Sequence, residues 1–112
     1  MGSKVTIVGM EKLQAKLKKN VRLDDVKRVV RYNGAQMQTK AQQKAPVDTG
    51  TLRRSIELNI KDAGMTAEVG AAVEYGEYVE RGTRFMAAQP YMKPAFEEQK
   101  RKFKSDMNKL TK

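Results

Sequence analysis

Apolar positions recur with a helical period over one long stretch of this chain and with a period of two over a shorter one, and these two signals frame its fold. From Leu23 to Lys44, residues Leu23, Val26, Val30, Met37 and Ala41 fall at spacings of three, four, seven and four, which places them on one face of a helix. Asp24 and Asp25 stand near its start, where carboxylates favour the positive end of the helix dipole, and Lys40 and Lys44 stand near its end. Such a helix spans roughly 30 Å. Gly34 interrupts it at a cost of about 1 kcal/mol relative to alanine, marking a kink or a close approach. Ala45-Pro46 ends it, because the residue before proline is pushed out of the helical region.

The period of two follows. Ile56, Leu58 and Ile60 alternate with Glu57, Asn59 and Lys61, and Met65, Ala67, Val69, Ala71 and Val73 alternate with Thr66, Glu68 and Gly70. With Asp62-Ala63-Gly64 as the turn between them, the two runs predict an antiparallel hairpin. Upstream, β-branched Lys4–Val8 reads as an edge strand, and Met10, Leu13 and Leu17 read as the apolar side of a short amphipathic helix over Glu11–Lys19. Val47–Gly50 reads as a turn, with Asp48 and Thr49 accepting from nearby backbone N–H groups and Gly50 at positive φ.

Tyr75, Tyr78 and Val79 share one face of a further short helix that Gly82 closes with a left-handed residue. Phe85–Gln89 reads as a loop. Pro90 and Pro94 predict a last helix starting near Pro90, and Met92, Phe96, Phe103, Met107 and Leu110 give it a narrow apolar stripe suited to a sheet face or to another subunit. The pattern as a whole predicts one α+β domain over residues 1–112: a small antiparallel sheet, one long helix packed across it and a C-terminal amphipathic helix.

Composition narrows the function. The chain has 112 residues, no cysteine and no histidine, so disulfides, thiolate nucleophiles, histidine bases and histidine metal ligands are all excluded. A reducing cytoplasm suits a cysteine-free chain, and the start MGSKVTIVG lacks the apolar region of a secretory signal. No run of about 20 apolar residues would cross a membrane. The carboxylates lack calcium-loop spacing and the glycines match neither phosphate-binding fingerprint, so no metal or cofactor is expected. Asp48-Thr49-Gly50 has the triplet of an aspartic protease, but that chemistry needs two carboxylates on rigid apolar loops of a nearly all-β fold. Here the triplet follows a lysine-rich helix and precedes Arg53-Arg54, so it reads as a structural turn and no enzyme is expected.

The formal charge is +10, and it is uneven. Residues 1–44 carry +8 and residues 93–112 carry +4, whereas residues 45–92 carry −2. Such a field attracts nucleic acid or an acidic protein surface and weakens with salt. Arg101, Lys102 and Lys104 form a cluster that reads either as a solvated face or as a non-specific DNA contact, so a basic DNA-binding module is the alternative function. Glu74, Glu77 and Glu80, three apart, read either as one solvated face or as a ridge that pairs with lysines of a neighbouring subunit.

Two motifs carry a resemblance. Tyr-x-x-Tyr-Val-Glu-x-Gly-Thr from Tyr75, followed by Ala-x-Pro-Tyr-Met-x-Pro-Ala-Phe to Phe96, and the upstream Lys44–Ile56 stretch KAPVDTGTLRRSI together resemble the neck or tail-completion family of long-tailed bacteriophages. The chain departs from that pattern at Arg81, where an aromatic residue is usual, and at Tyr91, where phenylalanine is. The resemblance implies a virion structural protein that acts without turnover. It would join the tail to the head connector as a ring, its partners being its own copies and neighbouring connector or tail proteins, and it would be made in the host cytoplasm. On that reading the loops Val47–Leu52 and Gly82–Tyr91 are the expected subunit contacts, with Asp48, Thr49, Leu52, Arg53, Tyr75, Tyr78, Glu80, Thr83 and Tyr91 as the contact residues.

Overall fold

The computed structural model describes residues 8–16, 21–46 and 50–110. Three strands, β1 (Val8–Gln14), β2 (Ile56–Lys61) and β3 (Thr66–Ala71), form an antiparallel sheet in the order β1-β3-β2. Four helices accompany them among the described residues: α1 (Leu23–Lys44), α2 (Gly50–Ser55), α3 (Tyr75–Arg81) and α4 (Met92–Lys109). The α+β architecture predicted from periodicity is the one observed.

The hairpin register follows the alternation. Ile56 pairs with Ala71, Leu58 with Val69 and Ile60 with Ala67 on the face turned toward α1, while Asn59 pairs with Glu68 on the other. Both residues before Gly64 take positive φ, Asp62 at 54° and Ala63 at 55°, so the turn is tighter than its single glycine suggests. Being central, β3 is buried along its whole length, Glu68 included, and Lys61 on the edge strand reaches that carboxylate at 2.6 Å.

Helix α1 begins and ends where the sequence places it, with Ala45 at its C-terminal cap. It crosses the sheet at Gly34, and the reason is close approach: a Cβ there would fall 2.7 Å from Ala67 Cβ and 2.9 Å from Leu58 Cδ1. Val26, Val30, Met37 and Ala41 on α1 meet Ala67, Val69 and Ala71 on β3 in one core that also takes in Leu13, Leu52, Ile56, Tyr91, Met92, Ala95 and Phe103.

Antiparallel to α1 lies α4, and much of their seam is polar. Asn33 and Gln99 are fully buried there; the Gln99 amide donates to Asn33 Oδ1 at 2.5 Å and to Gln36 Oε1 at 2.9 Å, and the Asn33 amide donates to Asp106 at 3.0 Å. Burial alone would raise the Asp106 carboxyl, but the hydrogen bonds from Lys102 and Asn33 outweigh it and hold the group below its usual value. Such a network fixes the register of two helices more than it adds to stability.

The structure corrects the sequence reading at four places. Residues 11–14 are strand, not helix: Leu13 pairs with Ala67, and a bulge between Val8 and Glu11 shifts the register. Met10 and Leu13 therefore take part in a sheet edge, and of the predicted strand over residues 4–8 only Val8 falls within the described residues. Of the predicted turn Val47–Gly50 only Gly50 falls within the described residues; it opens α2 and is not at positive φ, because the six residues before β2 coil into a helix that buries Leu52. The last helix starts at Met92, leaving Pro90 outside it and Pro94 in its first turn, where proline's missing N–H costs nothing. Finally, its buried face is Met92, Ala95, Gln99 and Phe103, with Phe96 and Met107 only partly covered.

Candidate functional site

The link from α3 to α4 carries Phe85, the most exposed large apolar side chain among the described residues. Gly82, at φ 79° and ψ 173°, ends α3 at a positive φ with extended ψ, a region open essentially only to glycine, and donates to Tyr78 O at 2.7 Å. The chain then doubles back on itself. Thr83 and Met86 exchange both backbone hydrogen bonds, at 2.8 and 3.2 Å, and the Phe85 N–H donates to Thr83 Oγ1 at 3.1 Å. Gln89 N–H returns to Val79 O at 2.8 Å. This closed turn carries Arg84 and Phe85 at its tip, and Phe85 is 89% exposed with Arg84 5.4 Å from its ring centre. Tyr78, 58% exposed, and Tyr75 are on the helix just before it.

The far end of the link is anchored by two side chains. Glu80 accepts from the N–H groups of Tyr91, Met92 and Lys93 at 3.1, 2.8 and 3.1 Å, satisfying the donors that open α4 and placing a negative charge at the positive end of its dipole. Tyr91 is fully buried and its hydroxyl donates to Gly76 O at 3.0 Å. Burial, with Glu80 and Tyr75 adding to it, pushes the phenol far above its ordinary value, so it stays a donor. Gly76 has no room for a side chain, since a Cβ would fall 2.8 Å from that hydroxyl.

Beside this link, Met10, Glu11, Glu77, Glu80, Arg81, Pro90, Met92 and Lys93 line a cleft of about 410 Å³. Glu11 has the same strand parity as Leu13 and so is turned toward the core side of the sheet edge. Burial raises its carboxyl, the charges of Glu80 and Glu97 raise it further, and Lys93 only partly offsets them. A carboxyl that is harder to ionise in the folded chain favours folding when protonated and opposes it when charged. Glu11→Gln is therefore expected to raise the melting temperature at pH 7, with the gain over the parent shrinking as the pH falls through the carboxylate range. Thermal melts of both proteins between pH 3 and 8 check this; a gain that is absent at pH 7 or grows toward low pH would contradict it.

The predicted contact residues divide sharply. Asp48 and Thr49 lie outside the described residues. Tyr75, Tyr78 and Thr83 are exposed on α3 and the turn after it. Glu80 is occupied as the cap of α4, so the acidic ridge is broken up; Glu77 pairs with Arg81 on its own helix at 2.9 Å. Arg53 turns inward to donate to Ala45 O at 3.1 Å. Leu52 and Tyr91 are 2% and 0% exposed, belong to the chain's own core and are corrected as surface contacts. Phe85 and Met86 were missed as individual residues, although an adjacent phenylalanine and methionine in a segment read as a loop were the signal for them.

Among the described residues no group of His, Cys, Asp or Glu could hold a metal ion, and no helix is long and apolar enough to cross a membrane. No curated protein and no solved structure matches the chain. A family model does match it over residues 3–82, from upstream of β1 through α3 to Gly82, and its description reads "Bacteriophage HK97-gp10, putative tail-component". With that match covering most of its length, the Lys44–Ile56 motif inside it and Tyr75–Gly82 at its end, this chain belongs to the HK97-gp10-like family of bacteriophage tail components.

Proposed function

We propose that this tail component is a structural protein of the virion neck, which joins the tail to the head connector as a ring of copies and performs no catalysis. The observation that carries the reading is the Thr83–Met86 turn. An aromatic side chain 89% exposed on a backbone fixed by two mutual hydrogen bonds buries almost no apolar surface within the monomer. It is what a preorganised contact looks like before its partner arrives. Tyr75 and Tyr78 widen the same surface with rigid amphipathic rings of the kind enriched at interfaces. Family membership supports a place in the tail, and the surface supports assembly there.

The test is complementation of a phage lacking this protein with Phe85→Asp and Tyr78→Asp variants. Both positions are exposed, so melting curves should match the parent within about 0.5 kcal/mol. Loss of a central aromatic contact is expected to cost about 2 kcal/mol or more per interface, roughly 30-fold in affinity. Micrographs should then show heads and tails that fail to join, with infectious titre down at least tenfold. Parental titres from both variants would remove the turn as a contact.

A further inference from the structure

We infer that the end of the molecule opposite the Phe85 turn is a binding surface for the phosphate backbone of duplex DNA. The topology gathers charge that is scattered in the sequence. Where β1 ends and β2 turns into β3, the same end of the sheet receives the start of α1 and, because α4 runs antiparallel to α1, the end of α4. On one flank, Lys27, Arg28 and Arg31 of α1 line a cleft of about 420 Å³ against Ile60, Ala63 and Gly64, with Asp24 the single carboxylate in its lining. On the other flank, Lys16 and Lys104 line a second groove with Gln14, Met107 and Asn108. Arg22 at the cap of α1 and Lys109 in the last turn of α4 stand at the same end.

Neighbouring carboxylates neutralise only part of this. Asp25 pairs with Arg28, Asp106 is held by Lys102 and Asn33, and Asp62 is bonded to Thr66. The remaining acidic groups of the cleft at the α3 end, Glu11, Glu77 and Glu80, are a sheet length away. The two clefts thus differ in charge: three carboxylates face two cations in the one at the α3 end, and three cations face one carboxylate in the one beside the start of α1.

DNA fits this surface better than an acidic protein does. Protein interfaces are centred on aromatic and aliphatic anchors and are poor in lysine. Here the exposed aromatics Tyr75, Tyr78 and Phe85 are at the other end; of the α1 residues, Tyr32 is 53% exposed with Lys102 5.0 Å from its ring centre, and Leu23 is the one large exposed aliphatic at this end among the described residues. Flexible cations spread over two flanks match a regular row of phosphates, which needs charge at intervals and little shape.

The experiment is fluorescence anisotropy of the full-length protein with a labelled 30-base-pair duplex at 50 to 200 mM salt. Engagement of about six phosphates predicts an affinity loss of about 10³ across that range, independent of base sequence. Lys27→Ala/Arg31→Ala and Lys16→Ala/Lys104→Ala should each lower the slope of log affinity against log salt by about 2. Arg84→Ala/Lys93→Ala removes the same charge at the other end and should leave the slope unchanged. Absence of binding at 50 mM salt, an equal effect of the Arg84/Lys93 pair, or equally tight binding of polyglutamate would each overturn the assignment. None of the Lys or Arg variants at the basic end touches the Phe85 turn, so failure here leaves the assembly reading standing, and the converse holds.

Discussion

Leu52→Asp is expected to leave the protein unfolded at 25 °C. Leu52 is 2% exposed in α2, and its Cδ1 packs beside the Gly76 backbone, 3.4 Å from where a side chain there would begin. Truncating a buried leucine costs about 2 to 5 kcal/mol, and forcing a carboxylate into the same place adds several more because it has no cation to meet. Together these match the whole stability of a domain of this size, about 5 to 15 kcal/mol. Far-ultraviolet circular dichroism should show loss of helix, and protease should degrade the variant while sparing Tyr78→Asp, whose site is 58% exposed. The contrast matters because both positions sit in motifs shared with tail-completion proteins, and loss of assembly would look alike in either. A cooperative melt near the parental temperature for Leu52→Asp would mean that α2 does not pack as described.

Tyr91 is expected to give the next largest effect, and its two components can be separated. Tyr91→Ala removes a fully buried ring and should cost about 3 to 5 kcal/mol. Tyr91→Phe keeps the ring and removes only the hydroxyl that donates to Gly76 O, for about 1 kcal/mol. Urea titrations with unchanged slope should show the two steps, and heat denaturation should show a shift of about 4 °C for Phe. Equal effects of Ala and Phe would place the energy in the hydroxyl and not in the packing.

Most of the scaffold was legible before any coordinates. A 22-residue helix with its apolar face at regular spacing, and two strands alternating about a Gly turn, are local patterns that only one backbone geometry satisfies. Gly82 as the end of α3 was equally local, since a positive φ asks for glycine wherever it occurs; its ψ of 173° is extended and not the left-handed helical value expected. Residues 10–14 were misread because Met10, Leu13 and Leu17 satisfy a helical spacing, while the edge of β3 offered a strand partner some 55 residues away that no local window contains.

The same distinction separates core from surface at the candidate site. Tyr75, Tyr78 and Tyr91 look alike in the sequence, yet the first two point outward and the third closes the core against Gly76. Glu80 looks like one of three solvated glutamates until α4 arrives to use it as a cap, 11 to 13 residues further on. The basic end is assembled from three separate segments. Periodicity and turn chemistry determined which elements form, because both act through neighbours along the chain. Which side chains are left facing water was decided only by the packing of those elements on one another, since burial depends on partners that are close in space and remote in sequence.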